Sequence, residues 1–213
     1  MRIGLDLDGT LVSCYERQMT LLGLLARACC MELDIQDCWA LKREGLGNRA
    51  ALVRLGIAPG QAEAVATLWE QAIEDFHWLA YDRLLPGVPG MLRRWRAAGH
   101  SLHLVSARRN PVCATMQLRR LGLDGFASVD FVDPFAADGK RQALERIRPD
   151  VYIGDTERDF LCAREAGVVP LLLCSGLRSR AYLERTCDVS VVSGLAQVGL
   201  PLHRALKPGE QFR

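Results

Sequence analysis

The stretch Arg2-Ile3-Gly4-Leu5-Asp6-Leu7-Asp8-Gly9-Thr10-Leu11 decides how the rest of the chain is read. Arg2–Leu7 is a short apolar run ending in acids and the turn pair Asp8-Gly9, the pattern of a buried strand followed by a loop. Asp6 and Asp8 stand two residues apart where the strand stops. Both can face one site if the backbone turns at once, and Gly9 permits that turn. Two neighbouring carboxylates repel each other, so a counter-cation is the natural way to keep both ionised. Magnesium (Mg2+) suits an oxygen-only site that retains several waters. The competing reading of this stretch alone is a capped turn, since Asp-Gly is also common turn chemistry.

Outward from this strand the chain changes character twice. From Cys14 to Tyr81 there is no convincing strand, but helical periodicity recurs at Leu21, Leu22, Leu25 and Cys29, then at Ala62, Val65, Ala66, Trp69, Ile73 and Phe76. Gly45–Asn48 reads as a loop between two of these helices. After Leu85 the pattern becomes strand, helix, strand. Pro86-Gly87-Val88-Pro89 opens a helix through Met91, Leu92 and Trp95 that Gly99 ends. Strands are expected at Ser101–Ser106, Val129–Val132, Val151–Gly154, Leu171–Cys174 and Val189–Val192. Helices are expected near Val112–Leu121, Arg141–Arg148, Glu157–Ala166 and Ala181–Arg185. This order predicts an α/β fold: a Rossmann-like parallel sheet covered on both faces, built from 1–13 and 83–213, with an all-helical insertion over 14–82. The tail after Pro201 reads as a loosely held surface segment.

In an open parallel sheet, ligands bind beyond the carboxyl ends of the strands. Polar groups stand at or just past four expected strand ends: Asp6 and Asp8, Ser106, Lys140, and Asp155 with Asp159. Each has a bland reading by itself. Ser106 is a turn residue, Lys140 a solvated helix-start lysine beside Arg141, and Asp155 and Asp159 a helix cap and an exposed acid. Their joint order along the chain outweighs those separate readings.

In that order the residues resemble the haloacid-dehalogenase-like phosphatases. Asp6-Leu7-Asp8-Gly9-Thr10 is similar to the family signature Asp-x-Asp-Gly-[Thr/Val], and Leu104-Val105-Ser106 to its second motif. Lys140 stands where the third motif places its lysine, and Gly154-Asp155-Thr156-Glu157-Arg158-Asp159 resembles the fourth. Leu85-Pro86-Gly87-Val88 and Ala163-Arg164-Glu165-Ala166-Gly167 are similar to phosphoglycolate-phosphatase-like members, in which a small helical cap is inserted where 14–82 lies here. One departure is Ser13-Cys14, which stands where relatives often have Asp-Ser; it bears on the entry to the cap and not on the core chemistry.

The resemblance implies a set of roles. Asp6 attacks phosphorus to give an aspartyl-phosphate. Asp8 protonates the leaving oxygen and then takes a proton from the hydrolytic water. Asp6, the backbone carbonyl of Asp8, and Asp155 hold magnesium. Ser106 and Lys140 grip phosphoryl oxygens, with backbone N–H groups near Gly9 assisting. Asp159 orients Lys140 or a metal-bound water, and Thr10 helps fix Asp8. Arg108 either reaches a second substrate anion or forms a surface ion pair. Lys42, Arg43, Asn48 and Arg49 flank Gly45–Gly47, where the cap's substrate-specificity loop would fall, and favour a substrate with an added negative or hydroxyl-rich group. Trp39, Trp69 and Trp78 are expected in the cap core. The four histidines show no ligand spacing.

Composition bounds the alternatives. The chain has 213 residues, 49% hydrophobic and 24% charged, with a formal net charge of +2. That is ordinary globular composition. It lacks the basic excess and interleaved aromatics of a nucleic-acid binder. The eight cysteines form no Cys-x-x-Cys pair, which argues against structural zinc, and most read as small core hydrophobes. Many unpaired thiols fit a reducing compartment. Met1–Leu11 does not read as a signal peptide, and Leu21–Ala28 is too short to span a bilayer. The expectation is a cytoplasmic phosphatase of a small phosphorylated metabolite, with no nucleic-acid or membrane partner. A phosphomutase of the same fold and a catalytically idle binding protein are the alternatives.

Overall fold

The computed structural model describes residues 1–199; the tail expected to be loosely held lies outside them. β1 (Arg2–Leu5), β4 (Ser101–Ala107), β5 (Ser128–Val132), β6 (Val151–Gly154), β7 (Val169–Leu173) and β8 (Val191–Val192) form one sheet in the order β5-β4-β1-β6-β7-β8. Every pairing in it is parallel. The chain leaves central β1 for β4 on one side and reaches β6 on the other, so strand order reverses at β1. A crevice opens at such a reversal, beyond the carboxyl ends of the strands.

Side chains alternate across the sheet. Ile3, Leu5, Leu102 and Leu104 pack on one face with Trp95 and Leu92 of α6 (Val88–Ala97). On the other face Val105 and Tyr152 pack against α8 (Gly139–Ile147) and α9 (Glu157–Glu165). Both faces are covered by helices, which is why the strands read as continuous apolar runs. α7 (Pro111–Arg120) and α10 (Arg180–Cys187) complete these crossovers. Gly4 is needed in β1, because a Cβ there would stand 2.9 Å from the Tyr152 ring.

Between β1 and α6 the chain makes five helices: α1 (Tyr15–Ala28), α2 (Ile35–Arg43), α3 (Asn48–Arg54), α4 (Pro59–Ala72) and α5 (Phe76–Leu79). Met19, Leu22, Cys38, Leu52 and Val65 form their own apolar core. A ribbon unseen in the periodicity brackets them: β2 (Val12–Ser13) pairs antiparallel with β3 (Arg83–Leu84). Two-residue strands are too short to show alternation.

Several expectations need correction. The periodic run Ala62–Phe76 is two helices, and Phe76 starts the second on the exposed side. Trp39, Trp69 and Trp78 are half-buried; Trp39 and Trp69 pack against the helical core, while Trp78 stacks on Tyr81. Only Cys14, Cys38, Cys162 and Cys187 are buried, and Cys30 is exposed. Cys30 lies two residues past α1 with φ +55°, which places it in a turn and not in a packed face.

Candidate active site

Asp6 follows β1 and Asp8 follows two residues later. The turn closes on Gly9, whose φ is +75°. A Cβ at Gly9 would lie 2.0 Å from Asp155 Oδ2, so glycine is required by conformation and by space. The Gly9 N–H donates to Val12 O at 2.7 Å. Gly9 therefore supplies the turn and the room, and not the phosphate-facing N–H expected of it.

Asp155 directly follows β6 and is fully buried. Its Oδ2 accepts from the Leu177 N–H at 2.6 Å, while its Oδ1 has no partner among the described residues. Thr156 caps α9 in a capping box with Asp159: Asp159 Oδ2 accepts from the Thr156 N–H and hydroxyl. That fixes the Asp159 rotamer and leaves Oδ1 to accept from Lys140 Nζ at 2.6 Å. Lys140, in the first turn of α8, is thereby aimed at Asp6 Oδ1, 3.2 Å away. Neighbouring Arg141 pairs instead with Asp138 and Glu145 at the surface.

Oxygens of Asp6, Asp155 and Asp159 come within 4.8 Å of one another. Burial pushes Asp6 up to about 6; Lys140 opposes this, and Asp159 and Asp8 add to it. Burial, then repulsion from Asp159 and Asp6, pushes Asp155 well above the carboxylate range. Burial works against the Lys140 ammonium, but Asp159 and Asp6 outweigh it and hold it protonated. One lysine thus stands against three buried carboxylates, and one carboxylate oxygen is orphaned. An oxygen-preferring divalent cation fits this donor set and supplies the missing charge.

Asp8 has different company. Arg108 and Arg17 both reach it, with Arg17 Nη2 at 2.6 Å from Oδ2. Burial works against its charge, but Arg108 and then Arg17 outweigh burial and hold the carboxyl well below its usual range. Arg108 is thus neither a surface ion pair nor free for a substrate anion in this state. Thr10 is fully buried, yet its hydroxyl has no partner among the described residues. The fixing of Asp8 expected of Thr10 is done by the two arginines, Arg108 with both terminal nitrogens and Arg17 with one.

Asp6, Asp8, Ser106, Arg108, Lys140 and Asp159 line one cleft of about 180 Å³. The residues of the helical insertion divide. Lys42 and Asn48 are buried and bonded to each other. Arg43 donates to Cys174 O and Arg178 O, both at 3.1 Å, so it docks α2 on the loop after β7. Arg49 pairs with Glu63 at the surface.

Sequence reasoning missed Arg17, Gly176 and Leu177. Arg17 carried a signal: it lies four residues before Leu21, on the apolar face of α1. It also donates from Nε to Asp82 at 3.0 Å. A Cβ at Gly176 would meet Asp155 Oδ2 at 2.1 Å; that approach joins distant loops and has no local signature.

A parallel α/β sheet with paired aspartates at its central strand and a lysine–aspartate pair beside them defines a hydrolase-type core with its site at the strand ends. A family model described as a haloacid dehalogenase-like hydrolase matches residues 2–167, and the chain belongs to that family. Solved structures agree in fold. A haloacid dehalogenase-like hydrolase from Streptococcus pneumoniae superposes with a TM-score of 0.70 at 19% identity, covering 91% of this chain and 94% of that one. A predicted phosphatase from Clostridium acetobutylicum gives 0.69 at 18% identity, covering 96% of both. A predicted phosphoglycolate phosphatase from Haemophilus somnus gives 0.65 at 16% identity, covering 91% and 94%. Comparison with curated proteins found no match.

Proposed function

We propose that this chain is a magnesium-dependent phosphomonoesterase that hydrolyses a small phosphorylated metabolite through an aspartyl-phosphate on Asp6. The observation that carries the reading is the Asp6 carboxylate held by Lys140 beside the orphaned Asp155 oxygen, at the end of the central strand. Asp6, the Asp8 carbonyl and Asp155 would hold the ion, which would reduce repulsion between nucleophile and phosphate. Asp6 attacks phosphorus, and Ser106 and Lys140 bind the equatorial oxygens. Asp8 would pass a proton to the leaving oxygen and later accept one from water; because Arg108 and Arg17 hold it ionised in this state, it takes up that proton only when substrate binding loosens their hold. Asp159, locked by its capping box, keeps Lys140 in place. Helices α1–α5, within 14–82, serve as a cap over a core of 1–13 and 83–213. The cleft volume suits a small ester, being below the several hundred Å³ of drug-sized sites.

No helix among the described residues is long and apolar enough to cross a membrane. Eight free cysteines suit the cytoplasm.

The test is phosphate release from a panel of small phosphate esters, with magnesium and with EDTA. Wild type is expected to release phosphate only with the ion, and Asp6→Asn to lose more than about 1,000-fold. Release undiminished by EDTA and by Asp6→Asn would overturn the mechanism.

A further inference from the structure

Arg17 is 2% exposed and Asp82 is fully buried. Arg17 Nε donates to Asp82 Oδ1 at 3.0 Å, Nη1 to Ile73 O at 3.2 Å and Nη2 to Asp8 Oδ2 at 2.6 Å. Contacts from three separate segments of the chain fix the plane of the guanidinium. Asp82 is fixed in turn: its Oδ2 accepts from Gln117 Nε2 at 2.6 Å, and its carbonyl from Arg120 Nη2 at 2.9 Å. Gln117 is itself fully buried in α7. An unbroken line of hydrogen bonds thus runs from α7, through the segment that returns the chain to β3, to Arg17 on α1 and on to Asp8.

Stability gives no reason for this line. A buried ion pair replaced by apolar residues of similar volume is often neutral or stabilising. What the charged groups add is direction. Arg108 is held differently: it lines the cleft, and apart from Asp8 it donates only to the carbonyl of its neighbour Ala107, at 3.1 Å. Its Nε is buried with no partner among the described residues. Arg17 does not line the cleft. Of the two arginines on Asp8, Arg108 is the one an incoming phosphate can draw away, and Arg17 is the one that stays.

We infer that Arg17, anchored by Asp82 and Gln117, is a positioning residue that keeps the Asp8 carboxyl aimed at the leaving oxygen once Arg108 has turned to the substrate. This rests on the phosphomonoesterase reading. As the Asp6–phosphorus bond forms and the ester P–O bond breaks, the proton that Asp8 has taken up from solvent goes to the leaving oxygen. In the second step Asp8 takes a proton from the water whose oxygen attacks phosphorus. Both transfers need the carboxyl within hydrogen-bond reach of the oxygen concerned.

The test compares propyl phosphate, whose leaving oxygen needs a proton, with 4-nitrophenyl phosphate, whose leaving oxygen does not. The ratio of their kcat/KM values reports the first step alone, because later dephosphorylation is common to both. Asp82→Leu and the paired Arg17→Met/Asp82→Leu should each lose about 100-fold on propyl phosphate, the scale of a displacement by about 1 Å, and at most about 3-fold on 4-nitrophenyl phosphate. The paired variant removes both buried charges together, so it secures a folded protein if Asp82→Leu alone does not fold. The loss should fall on kcat with KM little changed, since Arg17 does not line the cleft. Asp82→Asn keeps an acceptor for Arg17 Nε, and its amide can donate to the unpartnered Gln117 Oε1, so it should retain most of the wild-type ratio. Active wild type with a ratio unmoved in the folded Leu-bearing variants would overturn the inference alone. Wild type inactive on both esters and on the whole ester panel would overturn the phosphatase reading and the inference with it.

Discussion

Arg108 donates from both terminal nitrogens to the two carboxylate oxygens of Asp8, at 2.9 Å and 2.6 Å. Arg17 approaches from the helical insertion and bonds the same carboxylate. The residue assigned the proton-transfer role is therefore held from the sheet and from the insertion at once. Arg17 also donates to Asp82 and to Ile73 O, so Asp8 is linked to the segment that returns the chain to β3.

Arg108→Gln removes the forked half of this clamp and should cost about 3 kcal/mol at neutral pH, the scale of a broken buried ion pair. Asp8 has its folded pKa lowered, so its contribution is present above the unfolded value of about 4 and is lost as pH falls through the folded one. Urea unfolding at pH 7 and pH 3 should therefore show a wide gap between wild type and variant at pH 7 and a narrower one at pH 3. An equal gap would mean the clamp does not hold an ionised Asp8.

Asp6 works in the opposite sense. Its folded pKa is raised to about 6, so the contribution it makes is complete below about pH 4 and is lost as pH rises through 6. A bound cation needs the ionised form. Magnesium at about 100 times its Kd should stabilise by about 2.7 kcal/mol, visibly at pH 7.5 and weakly at pH 5. Melting curves with magnesium and with EDTA at both values check this; an equal shift at both would place the ion elsewhere.

Gly176→Ala puts a methyl against Asp155 Oδ2 and 2.4 Å from Gly9 Cα. Overpacking of this kind costs about 1–3 kcal/mol. Magnesium affinity should fall too, because the displaced group is a proposed ligand. Magnesium titration followed by tryptophan fluorescence, beside a thermal melt, separates the two effects. Unchanged affinity would remove Asp155 from the ligand set.

Arg178 joins Glu157 at 2.7 Å and the Lys42 carbonyl at 3.0 Å. Arg178→Met should cost only about 1 kcal/mol, because the ion pair is partly solvated. The stronger readout is local. Limited proteolysis of the loop at 44–47 should quicken several-fold without a matching loss of global stability. A cleavage rate that follows global stability alone would mean that Arg178 does not dock α2.

Much of the sheet was legible because β1, β6 and β7 are short apolar runs, and β1 and β6 run straight into an aspartate. Asp155 stands directly after β6, while Ser106 near the end of β4, Lys140 in α8 and Asp159 in α9 were singled out by their order along the chain. Lys140 could be told from Arg141 only by structure, since the choice depends on the Asp159 rotamer that the Thr156 cap fixes. Arg17 and Lys42 were harder. A buried cation on an apolar helix face breaks the amphipathic pattern without saying what it meets: Arg17 bridges Asp8 and Asp82, and Lys42 meets Asn48 and Trp69, pairings that only the folded chain reveals. Gly9 misled in part: its turn was foreseen, but the hydrogen bond that occupies its N–H forms only once Val12 folds back.

The β2–β3 ribbon sets Val12 opposite Leu84 and Ser13 opposite Arg83. The chain thus departs for α1–α5 and comes back at neighbouring points, about 5 Å apart for a paired residue. Any helical unit with ends that close could be spliced there without disturbing the strand that carries Asp6. The separation has one cost: a transplanted 14–82 segment leaves Asp6, Lys140 and Asp155 in place but must bring its own partner for Asp8 where Arg17 stood.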